Sequence, residues 1–259
     1  MAIIDAGYQR ILITGATSAI GEALAEIYAE NGVILYLHGR NENKLTEVAE
    51  RCQAKGARVQ TKLLDMCDLS ALKAWLESLE PLDLVIINAG MNTHIGHSGE
   101  LEPWDKVEAL LDVNLKAAMA ISHAVLPAMR ARGGGQIVLM SSLAGYFGLP
   151  VTPAYCASKA GLKAYGEALR GWLAPEGIKV NVVMPGYVQS PMCDDMPGSK
   201  PFLWSPKRAA MAIHRGLVRD MARISFPFPL NWGAWWLAVL PASISIFIVR
   251  LLGFGRDHG

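Results

Sequence analysis

The sequence predicts an α/β fold: a doubly wound parallel sheet of about seven strands with helices on both faces, followed by an apolar C-terminal helical extension. Three observations carry this reading. Short apolar runs of strand length alternate with helical patterns along most of the chain. Those runs are apolar along their whole length, as strands are when both faces of their sheet are covered. The strict alternation implies parallel pairing with right-handed crossovers.

Taken in order, Gln9 to Thr14 reads as the first strand and Ile20 to Asn31 as a helix with Leu24, Ile27 and Tyr28 on one face. Val33 to His38 is the second strand, and a helix follows from about Asn43 to Lys55. Arg58 to Leu64 is the third strand, Ser70 to Leu79 a short helix, and Leu84 to Ile87 the fourth strand. A long helical stretch runs from about Val107 to Arg130 and ends at the glycines after Arg132. Gln136 to Met140 is a strand, Ala154 to Leu173 a helix and Lys179 to Val183 a strand. Ser205-Pro206 caps a helix running to about Asp220, and Ala222 to Phe226 completes the sheet. No internal repeat, low-complexity tract or linker divides the chain.

Composition narrows the function. Hydrophobic residues make up 52 % of the 259 and charged residues 18 %, against roughly 45–50 % and 25 % in an average soluble chain. A disordered chain is excluded. With 24 basic and 23 acidic residues the net charge is +1, which argues against nucleic acid as a partner. Cys52, Cys67, Cys156 and Cys193 show no CxxC or Cys/His spacing, so they read as small core hydrophobes in a reduced, cytoplasmic compartment. The amino terminus has an early acid and no long apolar run, unlike a signal peptide. No metal site is expected; His94 and His97 read as solvated loop residues.

Two segments carry chemistry. Thr14-Gly15-Ala16-Thr17-Ser18-Ala19-Ile20-Gly21 joins the first strand to the first helix. Small residues there let backbone approach a pyrophosphate, and the helix aims its amide dipoles at that anion. The spacing is not the commonest dinucleotide fingerprint, and a plain glycine-rich turn is the competing reading. The second segment pairs Ser142, at a strand's carboxyl end, with Tyr155 and Lys159 near a helix start. Residues four apart share a helix face, so the Lys159 ammonium sits beside the Tyr155 phenol and is expected to lower its pKa from about 10. That suits a general acid/base near neutral pH; an ordinary aromatic–lysine surface pair is the alternative.

At these residues the chain resembles the short-chain dehydrogenases/reductases of the single-domain, Rossmann-like type. The resemblance covers residues 9 to about 225. It rests on the Thr14–Gly21 motif, Asp65 after the third strand, Asn88-Ala89-Gly90 after the fourth, Asn114 in the long helix, and Ser142. It continues through Tyr155-x-x-x-Lys159 and the run Pro185-Gly186-Tyr187-Val188-Gln189-Ser190. The resemblance implies one catalytic domain over residues 1–225, with 226–259 as an extension. It implies that Tyr155 exchanges a proton with a carbonyl or alcohol oxygen and that Ser142 hydrogen-bonds that oxygen. Lys159 would tune Tyr155 and hold the nicotinamide ribose, and Asn114 would support a proton-relaying water. Cofactor contacts would come from Gly15, Thr17, Ser18, Ala19, Ile20, Gly21, Arg40, Asn41, Asp65, Met66, Asn88, Ala89, Gly90, Tyr155, Lys159, Pro185, Gly186, Val188 and Ser190. Asp65 would accept from the adenine amino group, and Ser190 would take the place of the family's carboxamide-binding threonine.

Cofactor choice follows from the end of the second strand, Gly39-Arg40-Asn41. An acid at Gly39 would bind a free ribose 2′-hydroxyl; no acid is present, and the Arg40 guanidinium suits a 2′-phosphate. The expected cofactor is NADP rather than NAD. The expected reaction interconverts a carbonyl and an alcohol; a non-catalytic NADP(H) sensor and a membrane-surface scaffold are the alternatives. A homodimer or homotetramer is implied by the resemblance.

The C-terminal segment is particular to this chain. No charged residue occurs from Ile224 through Val249, while Trp232, Trp235 and Trp236 cluster and Arg250 and Arg256 flank the end. Pro241 interrupts the run and points to two short helices. A transmembrane helix, an interfacial hairpin lying against the inner face of the membrane, and an extension packed on the core, a partner subunit or the pocket are three competing readings. The loop Tyr187 to Trp204, with Met192, Met196, Phe202 and Trp204, reads as a mobile apolar lid over a lipophilic substrate.

Overall fold

The computed structural model describes residues 7–95, 100–196 and 198–254; His97 and Arg256 lie outside them. Seven strands form one parallel sheet: β1 (Arg10–Thr14), β2 (Ile34–Gly39), β3 (Arg58–Leu63), β4 (Leu84–Ile87), β5 (Gly135–Met140), β6 (Ile178–Pro185) and β7 (Arg223–Phe226). Their spatial order is β3-β2-β1-β4-β5-β6-β7. The order reverses between β1 and β4, where Thr14 pairs with Ile87. Crossover helices leave in opposite directions there, so a crevice opens at the strands' carboxyl ends.

The helices, in chain order, are α1 (Ala19–Tyr28), α2 (Glu42–Ala54), α3 (Leu69–Glu77), α4 (Trp104–Leu111), α5 (Ala117–Arg132), α6 (Pro153–Leu173), α7 (Pro191–Asp194), α8 (Pro206–Val218), α9 (Leu230–Val239) and α10 (Ala242–Val249). Side chains alternate across a strand, and the two cores divide accordingly. Ile11 and Ile13 of β1 pack with Leu24, Val48 and Ile213 from α1, α2 and α8. Leu12, between them, packs on the other face with Leu76, Ile121 and Leu162 from α3, α5 and α6.

Three expectations change. Strands covered on both faces were expected throughout, but β3 is an edge strand whose Arg58, Gln60, Thr61 and Leu63 are exposed; with no neighbour beyond it, it needs no apolar outer surface. The long helix expected over 107–130 is α4 and α5 joined by a π-helical turn, Asp112–Lys116, in which the Ala117 N–H bonds back to the Asp112 carbonyl. One residue more than an α-turn is inserted there, a distortion that recurs at functional sites. The cysteines also divide: Cys52, Cys156 and Cys193 are buried as expected, whereas Cys67 is exposed on the turn after β3.

Beyond β7 the chain forms two helices broken at Pro241, as its position predicts. Leu230 and Ala234 root α9 on Leu143, Val182 and Met184. The buried Ser245 hydroxyl donates to the Leu237 carbonyl at 2.8 Å and holds α10 against α9. Among the described residues, the helical stretch long and apolar enough to cross a membrane is Trp104–Arg132. That stretch supplies Leu110, Ile121 and Met129 to the core.

Toward the amino-terminal end of β5 and β6 a polar cluster is buried. Gln136 donates to Asn181 at 2.7 Å, and Asn181 donates to Asp220 at 3.1 Å and to the Met221 carbonyl at 2.8 Å. Arg170 grips Asp220 through two nitrogens at 2.8 and 3.0 Å. Burial pushes the Asp220 carboxyl up, but hydrogen bonds from Arg170 and Asn181 outweigh it and hold it below its ordinary range. An Asn181→Ala variant leaves buried partners unpaired, at about 1–3 kcal/mol for each group. A lowered thermal midpoint by circular dichroism, with turnover per folded molecule unaltered, is the expected result; an unchanged midpoint would show that the cluster contributes nothing net.

Candidate active site

The crevice between β1 and β4 is built around Asn88. Its side-chain amide donates to the Thr14 and Gly15 carbonyls and to Ser18 Oγ, each at 3.0 Å. In return, Thr14 Oγ1 accepts the Asn88 and Ala89 N–H groups at 3.0 and 3.1 Å. The Gly15–Gly21 turn folds tightly under these bonds. Gly15 has φ +65°, and a Cβ on Gly21 would stand 2.2 Å from the Gly15 carbonyl oxygen. Ser18 caps α1 by accepting the Gly21 N–H at 3.2 Å, so Ala19, Ile20 and Gly21 form the first turn of α1. The α1 N-terminus thus follows directly on Gly15, Thr17 and Ser18, which line the crevice, and amides at a helix N-terminus suit a pyrophosphate.

A groove of about 240 Å³ runs along this turn, lined by Gly15, Thr17, Ser18, Arg40, Asn41, Asp65, Met66, Ala89 and Gly90 among others. Asn41 lies in it while capping α2, its Oδ1 accepting the Lys44 N–H at 3.0 Å. The Asp65 carboxyl is held below its ordinary range, chiefly by the Cys67 N–H and also by the nearby Arg40 charge. His38, Met91 and Val113 also line the groove and were not expected. His38 is buried, with Nδ1 accepting the Gly15 N–H at 3.3 Å and Nε2 at 2.9 Å from the Leu64 carbonyl. These partners select the neutral tautomer protonated at Nε2, and burial lowers the imidazole pKa, helped by Arg40. A lone histidine in a strand carries no sequence signal for such a role. Thr14 was visible as the first residue of the motif, yet its function as the acceptor that closes the β1–β4 gap was not.

The second half of the crevice holds Ser142, Tyr155 and Lys159. Ser142, two residues past the end of β5, caps a single 3₁₀ turn, Leu143–Gly145, its hydroxyl accepting the Ala144 N–H at 3.1 Å and lying 3.4 Å from the Pro185 carbonyl. Pro153 at the first position of α6 sets the helix start, which brings Tyr155 and Lys159 to the strand ends on one helix face. The Lys159 ammonium is only 4 % exposed. It donates to the Met140 carbonyl at 2.9 Å and stands 5.5 Å from the centre of the Tyr155 ring.

The expected lowering of the Tyr155 pKa by Lys159 is not what this arrangement produces. Burial pushes the phenol up to about 12, and the hydrogen bond with the Ser142 hydroxyl only partly opposes it. Lys159 is brought down to about 8 by the same burial. The ammonium addresses the ring and the Met140 carbonyl rather than the phenolic oxygen, so desolvation dominates both groups.

Asn114 lies in the π-helical turn. Its Oδ1 accepts the Met91 N–H at 2.8 Å, and its Nδ2 donates to the Met91 carbonyl at 2.9 Å and to Ser158 Oγ at 3.1 Å. Ser158, inside the Tyr155–Lys159 motif, was not singled out and proves to be the link from Asn114 to α6. Gly90 passes between the two groups: a Cβ there would lie 3.2 Å from Asn114 Oδ1 and 3.3 Å from Lys159 Nζ.

The segment after β6 closes the other side. The Pro185 carbonyl faces Ser142, Gly186 donates to the Phe226 carbonyl at 2.7 Å, and Val188 is buried. Ser190 caps α7, accepting the Cys193 N–H at 3.1 Å and donating to the Val188 carbonyl at 3.1 Å. Met192, Phe202 and Leu203 are exposed, while Trp204 stacks on Phe226 at 4.9 Å. Among the described residues no three His, Cys, Asp or Glu side chains converge as a metal-ligating group.

Comparison with known proteins agrees with this geometry. The family model described as short chain dehydrogenase matches residues 9–199. An uncharacterised oxidoreductase of Myxococcus xanthus is 35 % identical over 241 residues, covering 92 % of this chain and 94 % of that protein. A ketoacyl reductase of a Nostoc species is 31 % identical over 224 residues, 83 % of this chain and 77 % of its own length. Among solved structures, a short-chain dehydrogenase from Sphingobium yanoikuyae in complex with NADPH superposes with a TM-score of 0.79 at 25 % identity, covering 97 % of this chain and 98 % of that one. A ketone-specific alcohol dehydrogenase from Comamonas testosteroni shares the fold at 22 % identity and a TM-score of 0.76, covering 97 % of this chain and 96 % of that one. A seven-stranded sheet reversing at β1 and β4, a glycine-rich turn in that crevice and a Ser–Tyr–Lys cluster beside it thus accompany similarity along most of the chain, which belongs to the short-chain dehydrogenase/reductase family of oxidoreductases.

Proposed function

We propose that this chain is an NADP(H)-dependent oxidoreductase that interconverts a carbonyl and an alcohol on a lipophilic substrate, with Tyr155 as general acid/base. The observation that carries this reading is the juxtaposition at the carboxyl end of β5. The Tyr155 phenol meets the Ser142 hydroxyl, and the buried Lys159 ammonium lies against the Tyr155 ring.

The groove fits a phosphorylated dinucleotide. Gly39 stands where an acid would select a free 2′-hydroxyl, and even a Cβ there would meet Thr17 Cγ2 at 2.7 Å. Arg40 lines the groove beside it with a guanidinium able to grip a phosphate through two N–H groups. The NADPH bound in the Sphingobium relative supports the same choice. When bound, the cofactor supplies the hydride. The protein's own contribution is acid/base and electrostatic. Ser142 hydrogen-bonds the substrate oxygen, and Tyr155 delivers its proton to that oxygen in reduction or removes one in oxidation. Lys159 supplies positive charge beside the phenolate that results. Asn114 fixes the Met91 turn and, through Ser158, the start of α6. Exposed apolar side chains Met192, Phe202 and Leu203 on the segment after Ser190 support a lipophilic substrate.

Three measurements test this. Tyr155→Phe removes only the proton donor, so turnover against a panel of lipophilic ketones and aldehydes should fall by about 10²–10⁴-fold while NADPH binding is kept; retained turnover would displace Tyr155 from its role. Arg40→Ala should weaken NADPH binding about tenfold or more, the value of a lost charged hydrogen bond, and leave NADH binding unaltered. Equal affinity of the wild type for both cofactors would refute the preference. The pH profile of kcat/KM reports groups in the free enzyme. Lys159 is charged below about 8 and neutral above it, whereas Tyr155 keeps its proton up to about 12. Carbonyl reduction should therefore be level below about pH 8 and fall above it, and Lys159→Met should lack that limb.

A further inference from the structure

The C-terminal hairpin leaves an unusual surface. Trp232, Phe228, Trp236, Phe247, Leu251 and Leu252 are 51–76 % exposed, and no charged side chain interrupts α9 or α10. Soluble monomers rarely present contiguous apolar patches beyond a few hundred Å². Among the described residues the hairpin is covered at the root of α9, where Leu230 and Ala234 pack on Leu143, Val182 and Met184, and at Ser245 and Val249 of α10.

Charge on the segment around the hairpin is mostly basic. Between residues 196 and 254 the chain carries seven basic residues and one acid, Asp220; Asp220 is held by Arg170, and of the seven, Arg223 is paired with Glu167. Lys207, Arg208 and Arg215 are exposed and line one open hollow on α8 together with Trp204. A chain of contacts joins this hollow to the foot of α9. The Arg208 guanidinium lies 4.1 Å from the Trp204 ring, and Trp204 stacks on Phe226, four residues before α9 begins.

We propose that α9 and α10, flanked by Lys207, Arg208 and Arg215, dock this chain on an anionic lipid surface, with the hairpin lying in the interface and the active-site mouth beside it. Tryptophan rings favour the headgroup level, and basic side chains beside an uncharged apolar face match anionic lipid. The described part of α10 with its π-helical continuation, Ala242–Phe254, measures about 20 Å at 1.5 Å per residue, against about 30 Å of hydrocarbon, and Pro241 breaks it from α9, which favours lying in the interface over spanning. A second copy of the chain fits less well, because an isologous contact through the hairpin would bring two identical basic flanks toward each other.

The test is flotation of the purified full-length protein with phosphatidylcholine vesicles, with and without phosphatidylglycerol. NADPH binding, measured on every sample, reads the cofactor groove separately, so a failure of docking is distinguishable from a failure of the enzymatic reading. Flotation should require phosphatidylglycerol and weaken with salt. Trp232→Glu/Trp236→Glu/Phe247→Glu alters only exposed positions and should abolish it with the thermal midpoint kept. Lys207→Gln/Arg208→Gln/Arg215→Gln should weaken it about fivefold per charge removed. The proposal is overturned by absence of flotation, by flotation equal with and without phosphatidylglycerol, or by flotation that survives the glutamate substitutions. It is equally overturned if the hairpin forms a dimer that the glutamates dissolve and no vesicle binds.

Discussion

The arrangement of the whole crevice depends on one buried amide. In a parallel sheet covered on both faces, backbone polar groups lack partners only where strands end, and an unpaired buried group there costs as much as a lost hydrogen bond. At the reversal between β1 and β4 two strand ends separate, and Asn88 fills the gap. Its three donated bonds tie the Thr14 and Gly15 carbonyls and the Ser18 hydroxyl together, while Thr14 returns the favour to the Asn88 and Ala89 N–H groups. The glycine-rich turn is thereby tied to the end of β4, with α1 starting directly behind it. His38 repeats the device one strand away, joining Gly15 to Leu64. The walls of the groove are thus tied together by satisfied polar groups of the chain itself.

The catalytic half is held by a different balance. A lysine buried to this extent gives up hydration and is compensated by one carbonyl, that of Met140, and by the face of an aromatic ring. Its charge is therefore weakly held, and its pKa falls. Tyr155 gives up hydration too, and its phenol is pushed toward the protonated form. In the reaction proposed above, the Tyr155 shift keeps the acid loaded for donation to a carbonyl, while the Lys159 shift limits the pH range over which a cation stands beside it. The π-helical turn matters because it places Asn114 where its amide can bind the Met91 backbone and Ser158 at once. The turns that carry Gly90 and α6 are thus locked to each other through a single side chain.

Much of this was legible in the sequence for a physical reason. Period and apolarity reveal strands that are covered on both faces, so β1, β2, β4, β5 and β6 were placed within a residue or two. β3 was also placed, although its burial was misjudged, because a six-residue stretch does not announce that it stands at an edge. The motif residues Ser142, Tyr155 and Lys159 do converge, since four-residue spacing on a helix has only one geometric meaning. Direction was not legible. Spacing alone puts Lys159 beside Tyr155; it does not say that the ammonium turns to the Met140 carbonyl and the ring. His38, Ser158 and the π-helical turn were missed because each depends on contacts between residues distant in sequence, which no local pattern encodes.

The apolar surplus of the chain has two physical origins, and they make opposite demands. In the sheet, Ile11, Leu12, Ile13, Leu84, Val85 and Ile86 are fully buried, and their apolarity is compensated within the fold by removal from water. In α9 and in α10 with its π-helical continuation, most of the apolar side chains face outward: Trp232, Trp236, Val239, Phe247 and Leu251 are more than half exposed. Helices that are apolar all round belong inside a large core or in lipid, and neither helix shows a polar face that would suit it to water. The fold could end at Phe226, where β7 completes the sheet against β6. The root of the hairpin still covers Leu143 and the β6 residues Val182 and Met184, so it is the exposed remainder that answers to a constraint outside the sheet, anchored one residue from Ser142.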